Sequence, residues 1–178
     1  MDNEPPQMKI PVEQFREFLR KSPAEIITAS HHESDLVRYR NGLGETLLHW
    51  WAIEYDCEWV SLYQRLGADL NTIDDFGGTP LMSACYISSH AMMHHLLSLG
   101  GDAGYISAQG ESALSKAATA KNLEACRVLL PLLRQGIQDY FNDCDAYMVC
   151  GEDNPTSAFL IAAGLRDPWI EHGDMNRP

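Results

Sequence analysis

The chain has 178 residues, 45% of them hydrophobic and 21% charged, so it can bury a core and is not disordered by composition. Lys and Arg number 13 against 25 Asp and Glu, a formal charge of -12. This balance argues against sequence-independent binding to DNA, RNA or an anionic membrane, because each needs a positive surface. The chain lacks a membrane-spanning apolar run and a secretory signal pattern, so we expect a cytoplasmic protein.

The amino-terminal part of the chain, 1–40, contains two short amphipathic segments, which predict a pair of helices. Ser22-Pro23 marks the start of the second helix, because Ser caps the first amides and Pro tolerates the first helical position. Polar and charged residues fill the remaining faces, as a terminal unit requires. The apolar positions are Phe15, Phe18 and Leu19 in the first helix and Ile26 and Ile27 in the second, the latter two in the register of Trp59 and Val60.

Three similar blocks then follow one another with a period of about 33 residues. Each block has a Gly that suits a turn with positive φ, a Thr or Ser two positions later that can cap a helix, and a Leu two positions further on. The blocks are GETLLHWWA (44–52), GGTPLMSAC (77–85) and GESALSKAA (110–118), with aligned Gly44, Gly77 and Gly110, Thr46, Thr79 and Ser112, and Leu48, Leu81 and Leu114.

A second helix is predicted in each unit, over 58–66, 90–99 and from Leu123 onward. Gly67 and Gly100 suit left-handed C-caps, and Pro131 should end or kink the third of these helices. Near the carboxyl end, Asn154–Gly164 echoes the third block at a spacing of 45, which implies an insertion of about 12 residues near 138–153. Helix and loop both remain open for 137–150.

This repeat resembles the ankyrin repeat. The resemblance implies an all-α solenoid of stacked helix-turn-helix units with short hairpin turns, in one domain over 1–178. Its parts would be a degenerate N-terminal capping unit (1–40), repeats over 41–73, 74–106 and 107–137, and an insertion with a degenerate C-terminal capping unit (138–178). The departures are Leu47 for Pro and Trp50-Trp51 for small residues in the first block, Met82 for His in the second and Ala113 for Pro in the third.

The resemblance also implies a partner-binding concave face, made by the hairpin tips and the ends of the first helices. Exposed aromatics at its centre would be binding anchors; alternatively, the Trp50-Trp51 block distorts the packing and these side chains belong to the core. The face comprises Leu43, Glu45, Ile53, Glu54, Asp75, Phe76, Tyr86, Ile87, Gln109 and Glu111, with Thr119 and Ala120.

Candidate chemistry is sparse. His90 and His94 have the i, i+4 spacing of metal ligands, but no H-E-x-x-H motif contains them, and a solvated helix face is the simpler interpretation. Ser112 is better explained as a helix cap than as a nucleophile, and Asp74-Asp75 as part of a turn. The five cysteines form no C-x-x-C pair and predict reduced structural thiols, with Cys144 and Cys150 able to pair in an oxidising setting. We therefore predict no enzyme activity, cofactor or metal site.

Negative charge is concentrated in two blocks. Residues 41–75 and 138–178 each carry a net charge of -6, against -1 for 1–40 and +1 for 76–137. Such blocks keep a protein soluble or steer it toward a basic partner. We expect a protein partner of basic character and a chain that is monomeric when free. A small inhibitor, such as an immunity protein that occludes a toxin, fits these features; the alternative is a regulatory adaptor or a secreted effector scaffold without catalytic activity.

Overall fold

The computed structural model describes residues 8–33, 35–132, 151 and 154–164. In this part of the chain the fold is a series of short helices joined by turns, and two residues near each end of the N-terminal unit form a small parallel sheet. The elements are β1 (Met8–Lys9), α1 (Val12–Arg20), α2 (Pro23–His32), a 3-10 turn (Leu36–Arg38), β2 (Tyr39–Arg40), α3 (Leu47–Ile53), α4 (Cys57–Arg65), α5 (Pro80–Tyr86), α6 (His90–Leu99), α7 (Ala113–Thr119), α8 (Leu123–Leu129), a 3-10 turn (Leu130–Leu132) and α9 (Pro155–Ala162).

The predicted N-terminal helix pair is present, with one correction of register. Ser22 caps α2 in a reciprocal capping box with Glu25, and Pro23 takes the first helical position. Ile26 is fully buried whereas Ile27 is 39% exposed. The caps of α2 and α4, Ser22 and Asp56, are separated by one position more than the repeat period. Ile26 therefore corresponds to Val60, and the predicted offset was wrong by one position here.

The repeated turns form as the blocks predict. Gly44, Gly77 and Gly110 have φ of 77°, 78° and 78°, a region that only Gly adopts without steric cost. The next helix is capped by Thr79, whose hydroxyl accepts the amide of Met82, and the equivalent Ser112 forms a capping box in the third unit. Short local signals, repeated three times, thus fix where α3, α5 and α7 begin.

A second turn joins the two helices of each unit, and no residue type in the sequence indicates its conformation. Tyr55, Ser88 and Lys121 occupy the same register position in the three repeats and have φ of 64°, 62° and 54°. Each is a non-Gly residue in the left-handed region, which is uncommon. The residue that follows each of them caps the second helix, so this strained position sets the reversal of the chain between the helices.

Stacking of the first helices buries the core. Leu48, Leu81 and Leu114 are at most 1% exposed, and α5 packs against both α3 and α7. Small residues, including Ala84 and Ala117, allow these backbones to approach closely. No unit buries its apolar side alone, so each depends on its neighbour.

Hydrogen bonds connect the first repeated turn to the second. The buried His49 accepts the amide of Thr46 at Nδ1 (3.1 Å), so its Nε2 carries the proton and donates to the Gly78 carbonyl (3.1 Å). The Arg40 guanidinium donates to the carbonyl oxygens of Gly44 and Ile73. The turns are thereby held in register one beside the next.

In the carboxyl-terminal part of the fold the predicted helix is present, but its spacing from the third block differs from the prediction. The predicted end of the helix at Pro131 is confirmed, since α8 stops at Leu129 and a 3-10 turn follows. Asn154 caps α9. It follows the equivalent cap Ser112 by fewer residues than the predicted spacing of 45. Thr156 Oγ1 donates to the Lys121 carbonyl (3.0 Å), which docks α9 on the third unit. The predicted segment 137–150, Cys144, Cys150 and the tail lie outside the described residues.

Candidate functional site

The turn tips and the ends of the first helices carry most of the predicted binding residues. Leu43, Phe76 and Gln109 occupy equivalent tips in successive repeats, and all three are exposed. Ile53 and Tyr86 occupy equivalent ends of α3 and α5; Ile53 is half-buried and Tyr86 is 57% exposed. The side chains of Phe76 and Tyr86 are thus on the surface, and the interpretation of them as core is wrong.

A groove lies between the second and third units. Its walls include the exposed rings of Phe76 and Tyr86, with Glu111 on the side of the third unit. Sequence reasoning missed its other main lining residues, which are Asp74, Met82, Ser83 and Lys116. Ser83 and Lys116 are equivalent positions of successive repeats and lie one turn before Tyr86 and Thr119. The helical periodicity of the predicted face, carried back one turn, would have found them.

Two ion pairs flank this surface. Lys9 on β1 reaches across the first turn to Asp75 at the second tip, with a distance of 2.6 Å between Nζ and Oδ2. Lys116 on α7 pairs with Glu111. Both pairs are partly exposed, so each contributes little to stability. The two lysines offset the negative charges of Asp75 and Glu111, which the sequence analysis assigned to this surface.

The remaining predicted residues do not line the groove. Glu45 is half-buried, and its carboxylate accepts a hydrogen bond from Nδ2 of the Asn41 side chain (2.6 Å). Glu54 is exposed and Ile87 is half-buried, at the ends of α3 and α5. Asp75 joins the first tip to the second, because its amide donates to the Leu43 carbonyl (3.0 Å).

Several acids of the block 41–75 serve turns and caps. Asp56 accepts the amides of Glu58 and Trp59 at the start of α4. Asp69 and Asp74 accept backbone amides two positions ahead. Local turn chemistry therefore explains part of the acidic block.

The three groups whose pKa values shift most, His49, Tyr63 and Cys85, are buried rather than presented to a substrate. Burial lowers the pKa of His49 to about 4, against the smaller opposing effects of the Gly78 carbonyl and Asp74. Burial also raises the pKa of the Cys85 thiol to about 12 and raises that of Tyr63. These shifts disfavour the charged forms and give no activated nucleophile.

The histidines of α6 connect neighbouring helices. His90 Nε2 lies 2.7 Å from Asn122 Oδ1 at the cap of α8, and His95 Nε2 lies 2.8 Å from Ser61 Oγ on α4. His94 is exposed. Among the described residues, no group of three or more His, Cys, Asp or Glu side chains is placed to hold a metal ion.

The arrangement defines a class of protein, a solenoid of stacked helical hairpins whose turns and first helices offer a continuous surface. The family model for ankyrin repeats, which describes three copies, matches residues 48–143, so the chain belongs to the ankyrin-repeat family. Members are protein-protein interaction modules and are generally non-catalytic. The search of curated proteins returned no match. Within the described ranges, no helix is both long and apolar enough to cross a bilayer.

Proposed function

We propose that this ankyrin-repeat protein binds a basic protein partner through the surface around Phe76 and Tyr86 and occludes it. The observation that carries the proposal is the exposure of these two rings, 63% and 57%, in one groove with Glu111. Large exposed aromatics in a groove are the side chains that contribute most to binding energy when a partner covers them. The excess of acidic residues favours a partner of opposite charge and speeds its association.

The concentrated acidic charge and the exposed aromatic groove, with no evident catalytic site in the described residues, favour an inhibitor. An immunity-type protein that neutralises a toxin fits these features, and a nuclease toxin is a suitable target because its cleft must be positive to hold phosphates. The alternative is a regulatory adaptor or a secreted effector scaffold, which would bind its partner without blocking it. The side chains of the proposed surface suit an inhibitor and an adaptor equally well. The activity of the bound partner therefore distinguishes the two functions.

The test begins with capture of partners from native lysate by three forms of the protein. These are the wild type, the double variant Phe76→Ala with Tyr86→Ala, and the control Tyr55→Ala, whose side chain is 59% exposed and lies outside the groove. We expect one protein to be retained by the wild type and by the control and lost with the double variant. Each anchor should be worth about 2–4 kcal/mol of binding free energy.

Association kinetics and activity complete the test. The association rate should fall steeply as salt rises from about 50 mM to about 500 mM, because screening removes electrostatic steering. A rate that ignores salt would contradict the basic partner, and equal binding by the double variant would contradict the proposed surface. Loss of the partner's activity in a stoichiometric complex would identify an inhibitor, and retained activity would identify an adaptor.

A further inference from the structure

Among the described residues, no aromatic ring pairs with Phe76 or Tyr86, and no cation lies over either ring. Ring pairs in the described residues lie elsewhere, as in the stacked Trp51 and Trp59 with centroids 4.8 Å apart. The cations found over rings lie at Phe18 and Phe159. Two aromatic faces of the groove therefore remain open to a ligand.

The groove also has one more carboxylate than cation. Its charged lining residues are Asp74, Glu111 and Lys116, and Lys116 pairs with Glu111. Asp74 Oδ1 accepts the amides of Phe76 (2.8 Å) and Gly78 (2.7 Å), which hold this carboxylate in place at the foot of the Phe76 ring. An anionic ligand would be repelled, and an apolar side chain would desolvate a carboxylate without compensation.

We infer that this groove binds a single arginine side chain of the partner, with the guanidinium against Phe76 and Tyr86 and facing Asp74 and Glu111. The inference rests on the proposed function and names the chemistry of the partner's contact. A guanidinium is planar, weakly hydrated and able to stack on aromatic faces while it donates to carboxylates. A lysine ammonium is a compact and strongly hydrated charge, so it loses more hydration and gains less contact in an open aromatic groove.

The experiment titrates 15N-labelled protein with three capped tripeptides, Gly-Arg-Gly, Gly-Lys-Gly and Gly-citrulline-Gly, and follows amide shifts. Citrulline matches the shape of arginine without its charge. We expect saturable shifts around Phe76, Tyr86 and Glu111 with the arginine peptide. Binding should be about fivefold weaker with lysine and about tenfold weaker or more with citrulline, since the ring and carboxylate contacts each contribute modestly in a partly exposed site.

Matched variants assign the effect to the groove. Tyr86→Leu keeps an apolar side chain but removes the ring, and should weaken binding of the arginine peptide about fivefold. Tyr55→Leu, at an exposed tyrosine outside the groove, should leave it unchanged. If the spectrum of Tyr86→Leu shows a loss of fold, Phe76→Leu provides the same measurement at the other ring.

Equal binding of the arginine and citrulline peptides, or shifts confined to residues outside the groove, would overturn the inference. So would an unchanged affinity in both ring variants. Partner capture that depends on Phe76 and Tyr86, combined with no preference for arginine, would leave the proposed function standing and refute this inference alone. Arginine binding in the groove combined with partner capture that ignores both rings would refute the proposed function alone.

Discussion

Lowering the pH should weaken the stack through His49, whose imidazole is fully buried between two backbone groups. Nδ1 accepts the Thr46 amide, so a proton added there would bring two donors together. The folded protein therefore holds this ring neutral, and burial lowers the pKa of His49 to about 4. In the unfolded chain the same ring has the ordinary value of about 6.5.

The direction of the effect follows from proton binding. Between pH 6.5 and about 4 the unfolded chain binds a proton that the folded protein does not, so the free energy of unfolding rises with pH in this window. The contribution is complete above about pH 6.5 and is lost as the pH falls toward the folded pKa. The full shift corresponds to about 3 kcal/mol, of which about 2 kcal/mol is lost between pH 7 and pH 5.

The assay is urea unfolding at several pH values for the wild type and for His49→Gln. Glutamine at this position of the helix can accept the Thr46 amide, as in a capping box, and does not titrate. Changes in the carboxylates affect both proteins alike, so the difference between them isolates His49. We expect the wild type to lose about 2 kcal/mol more than the variant between pH 7 and pH 5. Parallel losses would refute the buried neutral imidazole.

Two paired substitutions test the packing and the turns. Leu81→Ala should cost about 2–5 kcal/mol of unfolding free energy because the side chain is 1% exposed, whereas Leu43→Ala, at 53%, should change it by less than about 0.5 kcal/mol. Gly44→Ala should destabilise more than Gly67→Ala: both have positive φ, but a Cβ on Gly44 would lie 2.7 Å from the Asp75 amide nitrogen and one on Gly67 would meet nothing within 4 Å. Chemical unfolding measures both pairs, and equal costs within either pair would contradict the structure.

The fold could be predicted because its signals are local and recur. Gly77 and Thr79 specify a turn and a helix start through their own backbone and hydroxyl chemistry. The same pair returns in the preceding and in the following repeat, apart from the exchange of Ser for Thr at position 112. The error at Ile26 has the opposite cause. One extra position between the Ser22 cap and the first repeat shifts the register of a degenerate unit, and no repeated signal there marks the shift.

Contacts between units could not be predicted in the same way. His49 bonds to Gly78, 29 residues away, and Lys9 pairs with Asp75, 66 residues away. Whether such side chains reach the next turn depends on the distance and angle between stacked units, which no single repeat contains. Lys116 is a different case, because the helical periodicity of the predicted face, carried back one turn, includes its position.

The three repeats have nearly the same backbone at their turns, so their surfaces differ mainly in the side chains that they carry. The three repeated turns have nearly the same φ at their glycines, so the scaffold places the tip residues Leu43, Phe76 and Gln109 in the same way in each unit. Neither turn geometry nor core burial requires an aromatic residue at the middle tip, since the neighbouring tips carry Leu and Gln in the same conformation. The same holds for Tyr86, because the equivalent positions of the neighbouring repeats carry Ile53 and Thr119 and not an aromatic residue. These two exposed rings, which stability does not require, are the observation on which the proposed binding surface rests.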